Sequence, residues 1–432
     1  MNRNIRLSEA IAFYLTAILG SGILFLSAST ASIAGPASLL SWIVMILFSF
    51  PLAYTFATLS RLYPDAGGAA TFVRMAFGKH AGNLVGWFYF LTAAVGQMIV
   101  SMTGATYVGA AFDFSATEVS FIASLILFIG GISNHFGIQI SGKLSLVLSA
   151  LLLLLLFLAM VVTLPYVRWD HFQPFAPKGW LPVGTAIIMI FWSFFGWEAI
   201  CNLADRFKYP EKDIVRSAQI SAIIIGIVFF LLSLITIGSG TYGSIESDSS
   251  PIGVMIRRSL GFEAQQITAV LALIICMGTV NAFIASLGQL GYALGRDQGL
   301  PAWFYYLHQQ TLAPTRVIWS VVLFAITGVI VTTILKVHFT QLLYIPNSLG
   351  MSVYMVSMIA ALRLHQKGTK PWISSLISLI VLVSFVPLLR FHIIVPIAVS
   401  GMYFLYSLLS KNGYTGLKLE CMGERQSNED ST

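Results

Sequence analysis

Charge is what this chain has least of: Asp, Glu, Lys and Arg make up 9% of its 432 residues, where soluble domains carry about 25%. With 57% hydrophobic residues and a mean hydropathy of +0.84, that scarcity excludes an ordinary soluble domain. Cysteine is almost as rare. Cys201 and Cys276 fall in apolar stretches and Cys421 near the end, so neither a disulfide framework nor a metal-ligand spacing exists. Long polar segments are missing too, the longest lying near 165–181 and 241–264, which leaves no room for a soluble catalytic domain. Function must therefore reside in the apolar helices. The sequence contains no HExxH or GxSxG. Gly137-Ile-Gln-Ile-Ser-Gly-Lys-Leu144 has leucine where a phosphate-binding loop needs a hydroxyl, and Gly238-Ser-Gly-Thr-Tyr-Gly243 precedes no helix of a strand-turn-helix unit. Histidines 80, 135, 171, 308, 338, 365 and 392 all fall near the ends of apolar stretches, where interfacial placement explains them.

Twelve stretches are long and apolar enough to cross a hydrocarbon layer of about 30 Å: 10–34, 37–60, 83–110, 116–134, 143–164, 182–204, 216–240, 265–295, 316–335, 341–362, 372–389 and 392–410. The first is too long for the apolar region of a cleaved signal peptide and reads as a retained helix. The net charge of +7 could suggest nucleic acid, but the cations sort by side. With the N-terminus inside, 18 of the 24 Lys and Arg fall on cytoplasmic segments; the rest are Arg168, Lys178, Arg257, Arg258, Lys336 and Arg390. This asymmetry reports topology, with both termini cytoplasmic, and argues against a nucleic-acid role. The polar segment 411–432 reads as a solvated, disordered tail.

Two stretches are interrupted where a bilayer tolerates interruption least. In the first, Gly20-Ser21-Gly22 lowers helix stability by about 1 kcal/mol per glycine relative to alanine. A backbone opened there exposes amides suited to a carboxylate and, near Ala17 and Ile18, carbonyls suited to an ammonium group. The same small residues would also serve close helix packing, and the motif alone leaves both readings open. In the sixth, Phe194-Phe195-Gly196-Trp197-Glu198 carries an acidic residue deep inside an apolar stretch. A central charge costs about 3 kcal/mol and needs a partner, a proton or a cavity, so Glu198 reads as a gating or coupling residue. Trp192 and its neighbouring phenylalanines offer flat apolar surfaces, for core packing or for closing over a cargo. Matching breaks in the first and sixth spans, five apart, imply two inverted five-helix units.

These residues resemble the amino acid–polyamine–organocation (APC) superfamily along nearly the whole chain. Similar motifs are the GSGI break, Tyr63-Pro-Asp-Ala-Gly-Gly68 with Phe72, Phe191-Trp-Ser-Phe194 through Glu198 with Asn202, Lys208, Pro210 and Glu211, and Gly295-Arg-Asp-Gln-Gly-Leu-Pro301. FPLAYTFATLSRLYPDAGGAATFVRMAFG and FWSFFGWEAICNLADRFKYPEKD resemble in particular its branch of bacterial exporters of methionine and branched-chain amino acids. The resemblance implies an all-α polytopic fold of twelve transmembrane helices, with helices 1 and 6 discontinuous and two inverted repeats working by alternating access. The units would be 1–165, 166–365 and 366–410, followed by the tail. It further implies that the amides of Gly20, Ser21, Gly22 and Ile23 hold the substrate carboxylate and that carbonyls near Ile18, Trp192 and Phe195 receive the amino group. Trp192 resembles an aromatic gate of the superfamily, and Glu198 matches its acidic position. Two departures stand out. No lysine lies in 144–164, which counts against lysine-linked proton coupling, and Ile284 stands where one antiporter of the superfamily carries tryptophan, implying a smaller pocket wall.

The expectation is a secondary transporter of apolar amino acids, of the methionine, leucine, isoleucine and valine class, working as an exporter in the bacterial cytoplasmic membrane, with a proton as candidate coupling ion and no cofactor. Apart from Glu198 no charged group is placed to hold a charged cargo side chain. Gln97, Ser101, Asn281, Gln289 and Asn347 are polar candidates along the pathway, though each also suits a helix–helix hydrogen bond. An importer or exchanger of the same substrates, and a membrane sensor that binds amino acids without moving them, share these features. An intramembrane enzyme lacks paired catalytic groups at mid-depth.

Overall fold

The computed structural model describes residues 5–63, 68–137, 142–198 and 207–409. Helices α1 (Leu7–Leu19), α2 (Leu26–Ala34), α3 (Ser38–Leu62), α4 (Gly68–Phe77), α5 (Lys79–Phe112), α6 (Ala116–His135), α7 (Gly142–Thr163) and α8 (Leu181–Phe191) form the first part of the chain. They are followed by α9 (Pro210–Gly238), α10 (Ile245–Ser249), α11 (Pro251–Leu260), α12 (Phe262–Arg296), α13 (Thr315–Ile334), α14 (Tyr344–Leu364), α15 (Lys370–Phe385) and α16 (394–409). Among the described residues there is no strand, only an isolated parallel bridge between Ile5 and Phe207. The loop motif at 64–67, the segment 138–141, Cys201, Asn202 and the polar tail lie outside the described residues.

Nine helices among the described residues are long and apolar enough to cross a membrane, against twelve expected stretches. The difference has a local cause at each place. The first stretch divides at Gly20–Phe25 into α1 and α2, and α2 then continues through a tight turn at Gly35–Ala37 into α3 as one apolar run, Leu26–Leu62. The sixth is the short α8, whose helix gives way at Trp192. The last two join through a 3₁₀ stretch, Val386–Ile393, into the run Lys370–Leu409, with a kink at Arg390 (φ 52°).

The longest helices build the frame around the two breaks. α5 and α12 lie against each other, and glycines let them approach: a Cβ on Gly104 would sit 2.8 Å from Cys276 Cβ, and one on Gly86 2.6 Å from Leu294 Cδ2. Pro51 interrupts the α3 ladder because it has no N–H to give. Its carbonyl accepts hydroxyl bonds from Thr55 and from Ser374 of α15, both at 2.9 Å, which ties α15 to α3. At the α2 end of the first break, α10 is fastened down through Asp248. Ser29 donates to its carbonyl at 3.0 Å, and its carboxylate accepts from Ser32 and, at 2.9 Å, from the Gly243 N–H.

Candidate functional site

The first break follows from Gly20, whose φ of 23° lies in the region that side chains disfavour and ends α1 at Leu19. A single 3₁₀ turn, Gly22–Leu24, precedes Phe25, and α2 starts at Leu26. Within it Leu24 N–H bonds to the Ser21 carbonyl at 3.1 Å and Phe25 N–H to the Gly22 carbonyl at 3.3 Å. Nothing among the described residues accepts from the N–H groups of Ser21, Gly22 and Ile23, nor donates to the carbonyls of Ala17, Ile18 and Leu19. These are the groups a helix end leaves over. They are set in a buried environment, with Ser21, Gly22 and Ile23 all shielded and Ala17 alone well exposed. Tyr107 of α5 takes up the next free group, donating to the Leu24 carbonyl at 2.5 Å.

The second break crosses the first. After the 3₁₀ turn Trp192–Phe194 the chain extends at Phe195 (φ −85°, ψ 128°) and passes through Gly196 at φ 132°. Only glycine suits Gly196 on two counts: its torsion, and a Cβ that would sit 3.3 Å from the Ala17 carbonyl oxygen. Gly22 meets the other side of the crossing, where an added Cβ would run into Ser193 Oγ and sit 3.1 Å from Trp192 Cδ1. Glycine contacts thus hold the two breaks against each other. Three buried side-chain atoms of the breaks have no hydrogen-bond partner among the described residues: Ser21 Oγ, Ser193 Oγ and Glu198 Oε1. Buried polar atoms are normally paired, so these three single the crossing out as a candidate for a polar ligand.

Glu198 is buried, and a tyrosine 156 residues away accounts for it. Tyr354 of α14 donates to Glu198 Oε2 at 2.5 Å and accepts from the N–H groups of Gly196 at 2.8 Å and Trp197 at 3.3 Å. One hydroxyl thereby fixes both the backbone of the second break and its carboxylate. Phe195 lies between Tyr89 and Tyr354, with ring centroids 5.6 and 5.0 Å away. No Lys or Arg among the described residues forms an ion pair with Glu198.

Trp192 spans the gap between the first break and α5. Its Cδ1 edge faces Gly22, its far edge faces Gly96, and Phe283 of α12 stacks on it at 6.4 Å and 18°. Phe283 is the α12 side chain that meets the indole, and Ile284, expected as a small pocket wall, packs on α6, where a Cβ on Gly130 would lie 2.9 Å from its Cδ1. Among the polar candidates, Gln97 donates to the Val321 carbonyl of α13 at 3.1 Å, Asn281 accepts from Asn134 at 2.7 Å, and Asn347 donates to the Ile188 carbonyl of α8 at 2.6 Å. Ser101 bonds within its own helix to the Met98 carbonyl at 2.9 Å, and Gln289 is exposed. Among the described residues none of the five bonds to either break. Ser193, Tyr354, Tyr107, Phe283 and Gly96 belong to the site and carry no local sequence signal, apart from Ser193, which adjoins Trp192.

Comparison with known proteins supplies the context for this geometry. Residues 5–409 match the family model described as amino acid permease. The chain is 33% identical over 374 residues to the uncharacterized amino acid permease YecA of Bacillus subtilis (strain 168), covering 86% of this chain and 88% of that protein. It is 26% identical over 376 residues to the L-methionine/branched-chain amino acid exporter YjeH of Escherichia coli (strain K12), covering 85% and 87% respectively. It is also 23% identical over 355 residues to the branched-chain amino acid permease BcaP of Lactococcus lactis subsp. cremoris (strain MG1363), covering 75% of each.

Proposed function

Because the chain belongs to the amino acid permease family of the APC superfamily, we propose that it moves apolar amino acids of the methionine, leucine, isoleucine and valine class across the cytoplasmic membrane by alternating access, in the direction of export. The observation that carries this reading is the crossing of the two breaks. The amides of Ser21, Gly22 and Ile23, without a partner among the described residues, suit a carboxylate, and the carbonyls at the end of α1, Ile18 included, suit an ammonium group. Gly20 opens the backbone that frees both. Trp192 has its carbonyl bonded to Phe195 N–H at 3.3 Å, so it offers the amino group only its second lone pair. Around these groups lie Trp192, Phe195 and Phe283, a surface that suits an apolar side chain and offers a charged one no counter-ion except Glu198.

In this reading Trp192 closes over the cargo, and Glu198 is the gating and coupling group, with a proton as the ion to test. The helices follow a twelve-span plan in which α1–α7 and α8–α14 are inverted repeats, α15 and α16 are the last spans, and both termini are cytoplasmic. Similarity to the L-methionine/branched-chain amino acid exporter YjeH supports the direction and the substrate class. Radiolabelled flux in proteoliposomes tests all of this together. Methionine, leucine, isoleucine and valine are expected to move and arginine and glutamate to be excluded, with outward flux driven by an imposed proton gradient. Equal flux of charged amino acids, or none of the apolar four, would refute the substrate class.

A further inference from the structure

We infer that Gly96 is a positioning residue: by lacking a side chain it seats the far edge of the Trp192 indole against α5, and so fixes how large a cargo side chain the site admits. The inference rests on the transport reading. Trp192 is wedged lengthwise between two glycines. A Cβ on Gly22 would lie 3.1 Å from Cδ1 at one end of the indole, and a Cβ on Gly96 would lie 2.5 Å from Cη2 and 3.3 Å from Cζ3 at the other. Separations below 3.0 Å between a Cβ and a ring carbon force one partner to move.

Neither backbone is free to yield. α5 is pinned on both flanks of Gly96, by the close approach of Gly86 to Leu294, where an added Cβ would lie 2.6 Å from Cδ2, and by the Gln97 bond to the Val321 carbonyl at 3.1 Å. The Trp192 backbone is pinned by the 3.3 Å bond from Phe195 N–H. Phe283 covers one face of the indole at 6.4 Å. A methyl group at position 96 therefore turns the indole out of its slot, and the ring atoms then occupy volume otherwise open to a long cargo side chain. Gly96 itself makes no contact that a cargo needs. Its effect passes through Trp192.

The test is a flux panel of alanine, valine, leucine and methionine in proteoliposomes, with wild type, Gly96→Ala, Trp192→Phe and the double variant. Gly96→Ala is expected to lower kcat/KM for methionine relative to alanine by about tenfold, the size of discrimination that one methylene of pocket volume supports, with the change in KM rather than kcat. Trp192→Phe removes the ring atoms that collide, so the double variant is expected to show a methionine-to-alanine ratio close to that of Trp192→Phe alone. An unchanged ratio in Gly96→Ala, or the same loss in both backgrounds, overturns the inference. Should Gly96→Ala fail to accumulate in the membrane, recovery of folded yield in the double variant supports the wedge, and no recovery overturns it. A wild type that moves none of the four amino acids fails the transport reading itself, a result distinct from normal wild-type flux with unaltered selectivity.

Discussion

Tyr354 uses one oxygen for three bonds, accepting from Gly196 and Trp197 N–H and donating to Glu198, which exhausts what a phenol hydroxyl can do. Tyr354→Phe keeps the ring stack on Phe195 and removes all three. Each buried polar group left unpaired costs about 1–3 kcal/mol, so the variant is expected to melt measurably lower in detergent and to show a changed pH dependence of flux, because Glu198 loses its donor. A melting temperature and pH profile identical to wild type would mean that the second break is held by other contacts. The sequence showed Glu198 plainly, since a carboxylate in an apolar stretch is conspicuous on its own. Tyr354 left no such trace: an aromatic in an apolar helix is ordinary, and its role comes from a partner 156 residues away. Direction matters as much as position: adjacent helix residues differ by about 100°, so Phe283 stacks on Trp192 while Ile284 faces Gly130 of α6.

α12 runs for 35 residues, roughly 52 Å at about 1.5 Å per residue, so its end reaches past a hydrocarbon layer and is free to carry charge. There Asp297 pairs with Arg74 of α4 at 2.6 Å and with Arg296 at 3.0 Å, while Asn83 and Trp87 of α5 donate to the carbonyls of Asp297 at 3.3 Å and Gly299 at 2.5 Å. Two helices, α4 and α12, meet on one carboxylate, and α5 holds the backbone beside it. Burial pushes the Asp297 carboxyl up, but hydrogen bonds and charge from Arg296 and Arg74 outweigh it and hold the group below its ordinary range. A carboxyl held low in the folded state contributes stability that is complete above its unfolded pKa, about 4, and is lost as pH falls through the lower folded value. Asp297→Asn is expected to cost on the order of 1 kcal/mol at neutral pH, reduced by solvent at the half-exposed arginines, and to flatten the acid limb of a stability-against-pH curve. Parallel wild-type and variant curves would remove Asp297 from that role. The motif from Gly295 to Pro301 marked this helix end in the sequence; the docking of Arg74 did not show, because α4 reads as one more short loop segment.

The two ends of the first break differ across the molecule. Toward α2 every residue from Ser21 to Ala31 is buried, and Asp248 fastens α10 over that end; toward α1, Ala17 is exposed. The α1 side is the exposed side of the first break, and the Lys208 N–H bonds there to the Ile5 carbonyl at 3.0 Å. In a variant with its native cysteines replaced, Ala17→Cys is expected to react with a membrane-impermeant maleimide added from the side of the N-terminus, while Ile23→Cys stays protected; equal labelling of both, or labelling of Ala17→Cys from the opposite side, would contradict this orientation. The apolar stretches located the long helices but not α4, α10 or α11, because burial in lipid demands long runs and these three are short. Which runs join and which break depends on turns such as Gly35–Ala37, whose effect on continuity is set by packing. The wedge of Trp192 between Gly22 and Gly96 also limits how this protein changes over generations. Gly96 gains no methyl group unless the indole shrinks first, and Gly22 is held also by Ser193, so positions 96 and 192 form an epistatic pair in which the order of substitutions decides which lineages pass through a working intermediate.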